Sequence, residues 1–322
     1  MKMFTKLALV SSMAISANAM AMQAMDDAAL SAATGQDGIN IGIGVSRLDI
    51  EKVLIHDNDG LSSTGTAVGG TDTAGAIVIQ ANGTGATATK GIVIGANTAA
   101  LLPSHNLMDL AIDTDAGAGG GNTAFLNIAA QVSGLDIAIG EIGVSASNAA
   151  GTGPGIRRGN DASNYNAILS GLTLKTGVTS ANIQLGAAPQ GAMIVLNTTM
   201  TGGLEITDLG ILDSSTIGQT TLSGGTSTLA GEIHLDSIKV ADASGANLTV
   251  NAQVGVVGES VAGANDGYLK ITAGGTPTDV YISGVRLGSS TAASIGDVEV
   301  QGMQAYHGLT PTAGAVITIS GH

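Results

Sequence analysis

Apolar residues in this chain alternate with polar ones and then switch parity. The recurring unit is apolar-x-apolar, two turn-type residues, apolar-x-apolar. It reads Ile43/Val45 with Leu48/Ile50, Ile137/Ile139 with Ile142/Val144, and Ala167/Leu169 with Leu172/Leu174. It returns as Leu204/Ile206 with Leu209/Ile211, Ile233/Leu235 with Ile238/Val240, and Val280/Ile282 with Val285/Leu287. Val298/Val300 with Met303/Ala305 is the weakest copy. Residues two apart share one face of a strand. Both halves of a unit can therefore face one core only if the chain bends or bulges at the break. Gly140-Glu141, Thr207-Asp208 and Ser283-Gly284 are breaks of this kind, and glycines and bulges permit such bends.

The pattern predicts an all-β fold. An elongated irregular β-solenoid or a curved trough-like sheet fits the repeated bends, with a β-sandwich as the alternative. The copies start at residues 43, 137, 167, 204, 233, 280 and 298, too unevenly for a short-period repeat array. Gly/Ala/Ser/Thr-rich connections at 60–75, 81–91, 115–123, 145–164, 186–192, 222–231, 258–267 and 288–294 read as surface turns. None has the composition of a flexible linker, so residues 39–322 read as one glycine-rich β-domain.

The N-terminus departs from this pattern. Lys2 and Lys6, the apolar run from Leu7 to Ile15, and Ala17-Asn18-Ala19 predict a secretory signal peptide over 1–19, cleaved after Ala19. Ala19-Met20-Ala21 offers an alternative site. Residues 20–38 read as a short helical segment. Met22, Met25, Ala29 and Leu30 share one face, and Asp26 and Asp27 suit the first turn. Thr34-Gly35-Gln36-Asp37-Gly38 breaks it.

Composition narrows the function classes. Removing Lys2 and Lys6 with the leader moves the formal charge from −14 to −16, which disfavours nucleic acid and anionic lipid as partners. With 44% hydrophobic residues the chain is too apolar for disorder, despite its 49 glycines. No later segment reads as transmembrane. With no Trp, four Tyr and two Phe, the chain also lacks the aromatic girdles of an outer-membrane barrel. The absence of Cys removes thiol chemistry and cysteine metal sites.

Catalytic motifs are missing. His56, His105, His234, His307 and His322 form no HExxH, and no G-x-S-x-G occurs. Gly117–Gly121 is not followed by a P-loop lysine. The chain therefore reads as non-enzymatic, with no catalytic residue and no cofactor. Asp57 and Asp59, in Asp57-Asn58-Asp59-Gly60, are weak calcium candidates, and Asp113 and Asp115 are fainter ones. An EF-hand starting at Asp57 would need Glu at its twelfth position, which is Val68, so a plain turn is the better reading.

Met22-Gln23-Ala24-Met25-Asp26-Asp27, Leu30-Ser31 and Thr34-Gly35-Gln36-Asp37-Gly38-Ile39 carry a resemblance. This stretch resembles the FilA-type pilus-system proteins of Acinetobacter and related gammaproteobacteria, which share a Leu-Ser-x-x-Thr-Gly-Gln-Asp-Gly-Ile element. The resemblance implies an exported, pilus-associated or surface protein, and it supplies no catalytic residues.

The expected function is an exported surface-structural or adhesive protein of a pilus-like system, located on the cell surface, in a pilus or outside the cell. A periplasmic or surface binding module for calcium, lipid or glycan is the alternative. Expected partners are other pilus-system or envelope proteins and further copies of the chain, meeting through strand edges. Ile39–Val45 and Ala315–Ile319 are the candidate edge strands.

Overall fold

A computed structural model describes residues 38–64 and 69–321. The expected signal peptide at 1–19 and the expected helix within 20–38 lie outside the described residues, Gly38 apart.

The chain runs back and forth in long passes. The first pass holds β1 (Ile39–Ile43), β2 (Arg47–Ile50) and β3 (Val53–His56). The second holds β4 (Gly75–Gln80), β5 (Ile92–Ala96) and β6 (Met108–Asp115); the third holds β7 (Phe125–Val132), β8 (Leu135–Ile139) and β9 (Glu141–Ala146). Then come β10 (Asn166–Lys175) with β11 (Thr179–Gly186), and β12 (Ile194–Met200) with β13 (Leu204–Asp213). These are followed by β14 (Gly231–Asp242) with β15 (Leu248–Val257), and β16 (Tyr268–Ala273) with β17 (Thr278–Leu287). The last pass is β18 (Ser294–Met303), a small hairpin of β19 (Tyr306–His307) and β20 (Thr312–Ala313), and β21 (Ala315–Ile319).

These strands make two large antiparallel sheets, neither closed. An 8-stranded sheet has the order β1-β6-β7-β11-β12-β15-β16-β21. An 11-stranded sheet has the order β18-β17-β14-β13-β10-β8-β5-β2, with β3, β4 and β9 branching from β10. Read together, the two orders are one order: each of the eight passes lies beside the next in both sheets. The all-β expectation holds, and the architecture is an up-and-down meander whose every pass crosses from one sheet to the other.

Polar side chains finish the backbone where the passes cross between sheets. The Asn97 side-chain amide donates to the Thr176 carbonyl at 3.0 Å, and the Thr176 hydroxyl accepts from the Leu135 N–H at 3.0 Å. Ser133, fully buried, accepts from the Leu102 N–H at 3.0 Å and donates to the Asn106 carbonyl at 2.7 Å. The Asp242 carboxylate takes both the N–H and the hydroxyl of Thr249, at 2.9 and 2.7 Å. Buried backbone groups at a corner have no ladder partner, so these side chains replace it.

A second line of bends runs inside the larger sheet, at the breaks the sequence pattern marked. Asp208 has φ 58° and Gly284 φ 65°. A Cβ on Gly284 would collide with the Asp236 carboxylate. Registry survives the bend: Thr207 pairs with Ser237 and Leu209 with Leu235, so β13 and β14 turn together without slipping. The five central copies of the pattern span this line. The first copy, Ile43 to Ile50, and the last, Val298 to Ala305, instead sit at the crossing between sheets.

The result is a set of long cross-strand apolar rows. One runs Leu48–Ile94–Ile137–Leu174–Ile206–Ile238–Ile282–Val298 across all eight passes. In the other sheet, Ile112–Ile128–Ile183–Ile194–Val254–Ile271–Ile317 does the same across seven strands. Cross-strand pairs of this kind each contribute about 0.2–1 kcal/mol. Buried apolar side chains are few among the described residues: Ala76, Val78, Val93, Leu102, Ala130 and Leu248, of which only Val78 is fully buried. Val78 and Ala76 share a strand face with Ser145, the pairing partner of Ala76, and not with the long rows.

Candidate functional site

The outer passes differ from the inner ones in having one neighbour instead of two. Among the described residues, β1 and β21 end the smaller sheet, and β2 and β18 end the larger. Of the candidate edge segments, Ile39–Val45 contributes β1 over Ile39–Ile43 and Ala315–Ile319 forms β21. The sequence reading missed β18, the longest edge strand, whose ten residues are all exposed. Its alternation, Val298/Val300 within acidic neighbours, was legible; that no described strand pairs with its outer side depends on the order of passes.

The rows reach these edges intact. Leu48 on β2 is 47% exposed and Val298 on β18 is 45% exposed. On the opposite face a charged row lies one residue away along each strand: Arg47–Gly95–Asp136–Lys175–Glu205–Lys239–Tyr281–Glu299. Lys175 stands 4.0 Å from Asp136, and Lys239 stands 3.3 Å from Glu205. Alternating signs make one register favourable and a shifted one unfavourable. Asp297, also on β18, accepts from the Gly284 N–H and the Tyr281 hydroxyl, each at 2.8 Å. These bonds hold its carboxyl below the usual aspartate range, the Gly284 bond contributing most.

A polar cluster lies where the larger sheet bends. It opens on a cavity of about 700 Å³ lined by the 82–87 turn, Ser170, Asp208 and Arg286 among others. Glu232, His234 and Asp236 alternate along β14 and so share one face. Arg286, on the neighbouring β17, clamps Asp236 through Nε and Nη2 at 2.8 and 2.7 Å. That pairing holds the Asp236 carboxyl below its ordinary value, chiefly through the hydrogen bonds from Arg286. Buried His234 places Nδ1 3.3 Å from Glu232 and Nε2 3.5 Å from Asp236. Glu232 also accepts from the Ser170 hydroxyl at 3.1 Å and the Ser290 N–H at 2.8 Å. The cluster joins three strands and a loop at the bend. Its imidazole lies against two carboxylates, while the Ser170 hydroxyl donates to Glu232, so no serine–histidine pair is formed. The period-two spacing of Glu232, His234 and Asp236 was visible in the sequence; Arg286, fifty residues on, was not connected to it by any local signal.

The calcium candidates fall in two places. Asp57 and Asp59 lie after β3, where Asp57 Oδ1 accepts from the Asp59 and Gly60 N–H groups at 3.4 and 3.3 Å. The Asn58 side-chain oxygen accepts from Arg158 at 2.6 Å. Asp113 and Asp115 lie at the end of β6 in the other sheet, and Asp115 accepts from the Gly117 N–H at 2.6 Å. Asp57 and Asp115 thus cap turns, as Asp and Asn commonly do. Among the described residues, no group of three or more Asp, Glu or His side chains is placed to hold a metal ion. No described helix is long and apolar enough to cross a membrane.

Residues 1–118 match the profile of a family of unknown function, DUF6160. Comparison with curated proteins and with solved structures gives no match.

Proposed function

We propose that this chain is an exported surface-structural or adhesive protein of a pilus-like system, non-enzymatic, that associates through its strand edges. The observation that carries this reading is the pair of long outer passes, β1–β2 and β18–β21, each paired on one side only among the described residues. Backbone N–H and C=O groups on such an edge are a template for another strand. Short strands, prolines, charges and bulges commonly blunt edges; β18 runs ten residues without a proline, while carrying two acidic residues and three register shifts against β17. We read the body as a curved, trough-like sheet. Support comes from the two lines of bends and from apolar strand residues that stay half exposed, as the paired Ile211 and Ile233 do. Export and the pilus-like setting rest on the signal-peptide pattern and the N-terminal resemblance.

Immunogold electron microscopy of intact source cells, with an antibody to the β-domain, tests the reading. Gold along filaments is the expected result, and gold at tips alone would assign the adhesive role. Signal only after permeabilisation would overturn the surface reading in favour of the periplasmic binding module.

A further inference from the structure

We propose that copies of this chain join head to tail, β18 of one copy against β2 of the next, with Val298 opposite Leu48 and Glu299 opposite Arg47. This rests on the reading that strand edges associate, and it specifies the partner, its orientation and its register.

Strand direction makes the first argument. Among the described residues the meander has eight passes, an even number, so the first and last of them run in opposite directions. A second copy in the same orientation therefore sets its first pass antiparallel to the last pass of its neighbour. Antiparallel pairing is the arrangement in every ladder whose register the described residues give, as in β13·β14 and β17·β18.

Sheet order makes the second. In the same orientation, β18 meets β2, both of the larger sheet, and β21 meets β1, both of the smaller. A two-fold arrangement that sets one edge antiparallel against itself reverses one copy. It places a strand of the smaller sheet against one of the larger, so the bends no longer line up.

The residues make the third. The long apolar row ends at Leu48 on one edge and at Val298 on the other. The charged row ends at Arg47 and at Glu299 on the same two edges. In antiparallel pairing, Val298 opposite Leu48 automatically brings Glu299 opposite Arg47. One register thus extends the apolar row and adds an opposite-charge pair, and a slip of one residue loses both. The same register faces Asp297 with Asp49. Each of these carboxylates already accepts hydrogen bonds within its own chain, Asp297 from Gly284 and Tyr281 and Asp49 from Arg47 at 2.5 Å. An interface between two different edges does not close on itself, so repetition gives an open fibre. At about 4.8 Å per strand, eight strands give an axial repeat of roughly 38 Å.

Because the chain contains no cysteine, disulfide trapping reads the contact directly. Full chain carrying both Leu48→Cys and Val298→Cys is expected to give a ladder of covalent oligomers under mild oxidation. Each single variant is expected to stay monomeric on a non-reducing gel. Arg47→Glu in the double-cysteine chain should cut cross-linking several-fold, and adding Glu299→Arg should restore it. Cross-linking by either single variant would overturn the head-to-tail arrangement in favour of a two-fold contact. A compact, internally bridged monomer would overturn it by showing that the meander closes. Sedimenting oligomers without any 48–298 cross-link would overturn this register while leaving edge association standing. An absence of oligomers in sedimentation and cross-linking alike would overturn both.

Discussion

Strands β14 and β18 carry the same alternation of apolar and acidic residues, yet they live in different surroundings. β14 is paired on both sides, to β13 and to β17, over registers that hold through a bend. β18 is paired to β17 alone among the described residues, and that ladder shifts register three times. In β14 the polar face carries a hydrogen-bonded cluster bordering a cavity, where His234 is buried between two carboxylates. In β18 the polar face stands in solvent, with Glu299 lacking an ion-pair partner among the described residues. Alternation alone thus decides which side chains share a face. The number of neighbours decides whether the strand is a wall of the fold or a surface on which something else can pair.

The sharpest way to break this contrast is at the bend. Gly284→Val puts a branched side chain at positive φ, against the Asp236 carboxylate. It should cost about 2–3 kcal/mol, read as a lowered denaturant midpoint. Val78→Ala, at a fully buried site, should cost about 2 kcal/mol. Val298→Ala on the outer strand should move the same midpoint hardly at all while weakening self-association in sedimentation. Equal losses at the two valines would show that the edge is as well packed as the interior.

Asp236→Asn should fall between the effects of Val78→Ala and Lys239→Glu, because it breaks the clamp from Arg286 without opening a cavity. Its pH dependence has a definite sign. The folded-state carboxyl titrates below the ordinary value of 3.8, so its contribution is complete above that value and is lost as the pH falls further. Acid unfolding below pH 3.8 should therefore be shallower in Asp236→Asn than in the unaltered chain, and identical slopes would remove the clamp from the account. Lys239→Glu should cost less stability than Asp236→Asn, about 0.5–1 kcal/mol, by setting like charges against Glu205. Thermal unfolding in low and high salt checks it, since screening should shrink the difference.

Much of the fold was legible in the sequence, and the reason is local. The period-two apolar residues name the faces of β8–β9, β10, β13, β14 and β17, and the two-residue breaks name the bends. A bend must be written where it occurs, as at Asp208 and Gly284, since only certain residues adopt the backbone it needs. Ile39–Val45 and Ala315–Ile319 could be named as candidate edge strands from their apolar alternation, but that β1 and β21 end the smaller sheet followed from the strand order. The Arg286–Asp236 clamp was not readable. It joins residues fifty positions apart, and nothing near either one specifies the other.

The sequence by itself determined that this is a β protein, where its strands bend, which side chains share a face, and that its surface is acidic. Each of these follows from residues within a few positions of one another. Only the tertiary structure decided that the passes lie in sequential order in two sheets, that the apolar row runs unbroken to β2 and β18, and that the row beside it ends on Arg47 and Glu299. Those facts depend on which strand lies beside which, a choice made by pairing between distant segments.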